Sequence, residues 1–204
     1  MKIIGLTGPS GAGKTTVCSK FEELGIPCIN TDIIYHTLVS SPTPCLMELK
    51  EKFGDSIINE NGSLNRTVLA KIVFEGEHAE KNLANLNAIT HHYVWEETNK
   101  LLSNFMERGY AAAVIDAPAL FSSKMFIGAC DFVISVLADK ETRIQRITER
   151  DGISREQALA RINAQPNDEF FIENSDYYIN NSNTKEQTYA ELLSILQQEG
   201  LYLR

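Results

Sequence analysis

Cysteine is scarce in this chain and scattered: Cys18, Cys28, Cys45 and Cys130 form neither a CxxC pair nor a zinc-ligand spacing. A disulfide framework is therefore not expected, and buried free thiols in a reducing cytosol are. Positive charge is also in deficit. Lys and Arg number 19 against 27 Asp and Glu, a formal net charge of −8, so no global basic field exists to attract a nucleic acid or an anionic membrane. No apolar run is long enough to cross a bilayer. The opening Met-Lys-Ile-Ile-Gly-Leu-Thr-Gly is too short and too glycine-broken for the apolar region of a secretory signal. A cytoplasmic location follows as the expectation, with no nucleic-acid, membrane or obligate protein partner. His36, His78, His91 and His92 make no HExxH signature, and no repeat or low-complexity tract divides the sequence.

What remains is ordinary globular material. The apolar share is 43% and the charged share 23%, and 204 residues suffice for one sizeable core with a small inserted subdomain. Lys2 to Thr7 is an apolar run suited to a buried strand. From Thr15 the spacing turns helical, with Val17, Phe21 and Leu24 on one face and Gly25 as the stop. Further strands are predicted over Pro27–Asn30, Ala111–Ile115, Asp131–Val136 and Tyr177–Ile179, the last before an amphipathic helix carrying Leu192, Leu193 and Leu196. Strands separated by helices predict an α/β fold: a parallel five-stranded sheet covered on both faces. The interval between the second and third strands far exceeds one crossover helix and predicts a helical subdomain. Within it, Thr43-Pro44 reads as an N-cap followed by proline at the first helical position. Glu77 to Arg108 reads as helical with a break somewhere inside.

Gly8-Pro9-Ser10-Gly11-Ala12-Gly13-Lys14-Thr15 matches GxxxxGK[ST] at every defined position, between a predicted strand and a predicted helix. Such a loop turns main-chain N–H groups around phosphates at a helix N-terminus. Lys14 is then expected to reach the β- and γ-phosphates of ATP, Thr15 to hold Mg²⁺, and the residues from Gly8 to Thr16 to form the nucleotide contact. The loop alone implies nucleotide binding and leaves the reaction open.

In an open parallel sheet, ligands gather beyond the carboxyl ends of the strands. Asp32 follows the second strand and can accept the proton of an attacking hydroxyl; the alternative is an N-cap for a helix beginning at Ile33. Asp116 follows the third strand and suits the magnesium shell, directly or through water, or else is a turn residue before Pro118. Arg143, Arg146 and Arg150 make one stripe on a predicted helix from Lys140, with Arg155 and Arg161 in the next. Arg146 and Arg150 are the expected ATP contacts; a solvated face is the other reading.

Together these blocks resemble the dephospho-CoA kinase family nearly end to end. The resemblance is carried by the loop, Phe21-Glu-Glu-Leu-Gly, Ile29-Asn-Thr-Asp32-Ile-Ile, Asn61-Gly-Ser-Leu-Asn-Arg66, Ile89-Thr-His91, Ile115-Asp-Ala-Pro-Ala-Leu-Phe121, Arg146 to Asp151, Gln165 and Ser175-Asp-Tyr-Tyr-Ile-Asn-Asn181. It implies a P-loop kinase fold in three parts: a nucleotide-binding core of residues 1–35, 109–139 and 166–204, a helical acceptor-binding domain of 36–108, and a lid of 140–165. It also implies transfer of the ATP γ-phosphate to the ribose 3′-hydroxyl of dephospho-CoA, with Asp32, Lys14 and Arg146 catalytic. Asp32, Arg66, His91, Pro118 and Leu120 are implied at the acceptor. The chain departs from the family at Pro9-Ser10, at Asn30 in place of an acid, and at His92, Ala119 and Ser122. A nucleoside kinase and a non-catalytic nucleotide-dependent regulator are the rivals, the latter without a guanine-reading Asn-Lys-x-Asp element.

Overall fold

The computed structural model describes residues 1–201; the last three residues of the expected 166–204 core segment lie outside the described residues. The elements run β1 (Lys2–Thr7), α1 (Lys14–Glu23), β2 (Cys28–Asn30), α2 (Thr31–Leu38), α3 (Pro44–Phe53), α4 (Arg66–Phe74) and α5 (Ala79–Glu107). They continue as β3 (Ala112–Asp116), α6 (Lys124–Ala129), β4 (Phe132–Leu137), α7 (Lys140–Asp151), α8 (Arg155–Asn163), α9 (Asp168–Glu173), β5 (Tyr177–Asn180) and α10 (Lys185–Gln198). Two compact units result, Met1–Ile29 with Leu102–Arg204, and Asn30–Leu101.

The first unit is built on one sheet in the order β2-β3-β1-β4-β5, with β1 parallel to β3 and β4, and β4 parallel to β5. Every residue of β3 and β4 is buried, the signature of a sheet covered on both faces. On one face Ile4, Leu6, Val114, Ile134 and Val136 pack with Val17 and Phe21 of α1 and with Leu192, Ile195 and Leu196 of α10. On the other, Gly5 lets Leu120 and Cys130 approach so closely that a Cβ there would sit 2.9 Å from each side chain. The third strand starts and ends one residue later than predicted, because Leu6 pairs with Asp116 and the Leu6 carbonyl accepts from the Ala117 amide at 3.0 Å. Asp116 therefore closes the strand rather than following it.

In the second unit, Val39, Leu46, Leu49, Ile57, Leu64, Leu69, Val73 and Ile89 form a separate core. The Thr43 hydroxyl caps α3 by accepting from the Leu46 amide at 3.2 Å, with Pro44 in the first turn. The break expected between residues 77 and 108 does not occur. Ala79–Glu107 is one helix of 29 residues, which contains neither glycine nor proline to interrupt it.

Candidate active site

The GxxxxGKT segment forms the turn from β1 into α1. Gly13 is the residue before the helix, at φ 89° and ψ 36°, a left-handed conformation that side chains other than glycine's rarely adopt. A Cβ there would fall 2.2 Å from the Asn181 amide nitrogen, so the position is closed sterically as well. The first turn of α1 thus presents the positive end of the helix dipole at the loop. Lys14 Nζ donates to the Gly8 carbonyl at 3.0 Å, folding the ammonium back over the loop. Thr15 is exposed and Thr16 half-buried. Asp116 ends the strand beside β1 at 5% exposure, and the Thr7 hydroxyl donates to the Pro118 carbonyl at 3.4 Å.

The outer side of the loop is gripped by residues from α7 and from the turns near residues 165 and 181. Arg146 donates to the Gly11 and Ala12 carbonyls at 3.4 and 3.2 Å, and to the Asn181 carbonyl at 2.9 Å. Asn181, 2% exposed, donates its amide to the Ala12 carbonyl at 2.8 Å and accepts from the Thr188 hydroxyl at 3.0 Å. Arg143 Nε donates to the Ser10 carbonyl at 2.9 Å, and the Gln165 side-chain oxygen accepts from the Ser10 amide at 2.9 Å. Arg143, Gln165 and Asn181 were not among the residues predicted for the site. For Arg143 the available signal was its place in the 143/146/150 stripe; Gln165 and Asn181 lay in matched blocks without an assigned role.

The stripe divides by partner. Arg150 makes a two-pronged contact with Asp151, at 2.7 and 3.0 Å, and Arg161 also bonds Asp151. These arginines hold the Asp151 carboxyl down to about 2. Arg150 is thereby engaged within the α7–α8 hairpin, which has its own small core of Ile144, Ile147, Ala158 and Ile162. Pro118 is exposed, whereas Leu120 is fully buried against Gly5 and presents no side-chain surface to a ligand.

Within the helical unit, Asp32 lies exposed in the first turn of α2, and Asn30, not Asp32, caps that helix by accepting from the Ile33 amide at 3.0 Å. The helix start therefore leaves the Asp32 carboxylate out of its capping. Arg66, exposed at the start of α4, donates to His36 Nδ1 at 2.5 Å and stacks over the Tyr35 ring at 5.6 Å. Because a guanidinium only donates, His36 Nδ1 is the acceptor in this bond. Burial raises the Tyr35 phenol, with Arg66 opposing, and burial lowers the His91 imidazole on α5.

The dephospho-CoA kinase family model matches residues 2–187. The chain is 37% identical over 195 residues to a dephospho-CoA kinase of Bacillus cereus, covering 96% of each protein. Among solved structures it is similar to a Thermus thermophilus protein, at 28% identity, TM-score 0.78 and 97% coverage of both chains. It is also similar to the dephospho-CoA kinase of Campylobacter jejuni, at 25% identity, TM-score 0.67 and 98% coverage of both chains. With a phosphate loop on a five-stranded parallel sheet and a family match spanning nearly its whole length, this chain belongs to the dephospho-CoA kinase family.

Proposed function

We propose that the chain transfers the γ-phosphoryl group of ATP to the ribose 3′-hydroxyl of dephospho-CoA, giving coenzyme A and ADP, in the cytoplasm. The observation that carries this reading is the family match over residues 2–187, which includes the complete GxxxxGKT loop at the junction of β1 and α1. In the proposed reaction Lys14 and the loop amides hold the β- and γ-phosphates, and Arg146, at the loop's outer edge, supplies positive charge to the reacting oxygens. Asp32 accepts the proton as the 3′-oxygen bonds to phosphorus and the bond to ADP breaks. Arg66, His91 and Pro118 contact the acceptor. Residues 36–108 are read as the acceptor-binding domain and 140–165 as a lid that excludes water as a competing nucleophile.

Mg²⁺ fits the donors beside the loop. Thr15 offers a hydroxyl and Asp116 a carboxylate, acting directly or through water, and both are the hard oxygen ligands this ion prefers. When bound, the ion neutralises charge on the phosphate oxygens.

A panel of hydroxyl acceptors, assayed for ADP release with ATP and Mg²⁺, tests the reading. Selective turnover with dephospho-CoA is expected. Transfer to uridine in its place overturns the acceptor assignment, and nucleotide-dependent affinity for a protein with no turnover of any acceptor overturns the enzyme reading.

A further inference from the structure

Arg143 is a buried charge that the proposed chemistry does not use. It is 4% exposed, and burial draws its guanidinium below the usual arginine range while Asp168 opposes the shift. Its fork reaches the Ser10 carbonyl at 2.9 Å, the Gln165 side-chain oxygen at 3.4 Å and Asp168 Oδ1 at 3.5 Å. The same Gln165 oxygen accepts from the Ser10 amide at 2.9 Å. Both main-chain groups of Ser10 are thus engaged, the carbonyl by Arg143 and the amide by Gln165. The helix backbone follows: a Cβ on Gly11 would lie 2.7 Å from the Arg143 carbonyl oxygen, so α7 rests directly on the loop. The pairing with Asp168, whose carboxylate is 45% exposed, is weak support for stability. Its geometry, converging on one peptide of the phosphate loop, has a more specific consequence.

We propose that Arg143 is a positioning residue for the phosphate loop. Acting through Gln165, it fixes the Ser10 peptide and so the path of Gly11 to Thr15. The inference rests on the reading of this loop as the ATP site, and on nothing about the acceptor. Arginine is required because a lysine ammonium keeps the charge but cannot meet three diverging acceptors at once. Gln165 contributes only as an acceptor, so Gln165→Glu keeps the clasp and Gln165→Leu destroys it.

The test is calorimetric titration of ADP, without acceptor, into the wild type, Arg143→Lys, Gln165→Leu, Gln165→Glu and the Arg143→Lys/Gln165→Leu double variant. Arg143→Lys and Gln165→Leu are each expected to weaken ADP about ten-fold, with the double variant no worse than about two-fold beyond either, as two parts of one clasp require. Gln165→Glu should stay within about two-fold of wild type, because its carboxylate keeps the acceptor that leucine lacks. In the kinase assay the KM for ATP should rise while that for dephospho-CoA holds. ADP affinity unchanged in Arg143→Lys and Gln165→Leu overturns the clasp, as do effects that multiply in the double variant. If Arg143→Lys does not fold, the contrast between Gln165→Leu and Gln165→Glu decides alone: equal affinities overturn the proposal. Wild-type protein that binds no ADP sinks the nucleotide reading itself. Normal ADP binding with no turnover of dephospho-CoA sinks only the acceptor.

Discussion

Replacing Asn181 by alanine removes the buried amide that joins the turn after β5 to the phosphate loop. The lost contacts are the donation to the Ala12 carbonyl at 2.8 Å, a longer one to the Gly13 carbonyl at 3.4 Å, and acceptance from Thr188 at 3.0 Å. Two of these are well made, at about 1 kcal/mol each. The partners are not stranded: Arg146 still donates to the Ala12 carbonyl at 3.2 Å, and the single proton of the Thr188 hydroxyl, released from Asn181, can turn to the Thr184 carbonyl at 3.2 Å. The full penalty for an unsatisfied buried group is therefore avoided, and the net cost is about 2 kcal/mol. For a chain of this size, that lowers Tm by about 4–8 °C. Thr188→Val, which removes only one of the well-made bonds to Asn181, should cost about half as much. Thermal denaturation with and without ADP measures both. If Asn181→Ala melts within about 1 °C of wild type, the amide bonds are not what tie this turn to the loop.

Gly13→Ala should abolish measurable ADP binding, since the new methyl meets the Asn181 amide at 2.2 Å on a backbone at φ 89°; retained affinity by calorimetry would contradict the steric account. Asp32→Asn should lower kcat by about 10² or more with ADP affinity unchanged, and wild-type turnover removes Asp32 as the base. Burial lowers the His91 imidazole below its unfolded value, so the unfolded chain binds more protons as pH falls through the ordinary histidine value of about 6.5. The His91 contribution to stability is therefore complete above that value and declines below it. His91→Gln should flatten this part of the urea-denaturation profile, and an unchanged slope refutes the assignment.

The sheet was readable because it is buried on both faces: five short apolar runs, each ahead of a helix or turn signal, locate all five strands to within a residue at either end. The loop was readable because its glycines are forced, by a left-handed turn at Gly13 and by the close approach of Asn181. Asp32 illustrates the limit. An acid near a helix start reads as reactant or as cap, and only the structure gives the capping to Asn30, the very position where the family pattern has an acid. The arginine stripe was visible as a spacing, but spacing cannot say which member is buried. Arg143 binds the loop tip, Arg146 its carbonyls and Arg150 a neighbouring aspartate, because partners distant in sequence converge on them. The single long helix α5 was missed in the other direction, as a break expected without a glycine or proline to cause it.

The most direct test of the proposed reaction is ³¹P NMR of the wild-type protein incubated with ATP, Mg²⁺ and dephospho-CoA. The account predicts one new phosphomonoester on the ribose 3′-oxygen for each ADP formed. ADP accumulating with inorganic phosphate and no 3′-phosphomonoester would contradict it.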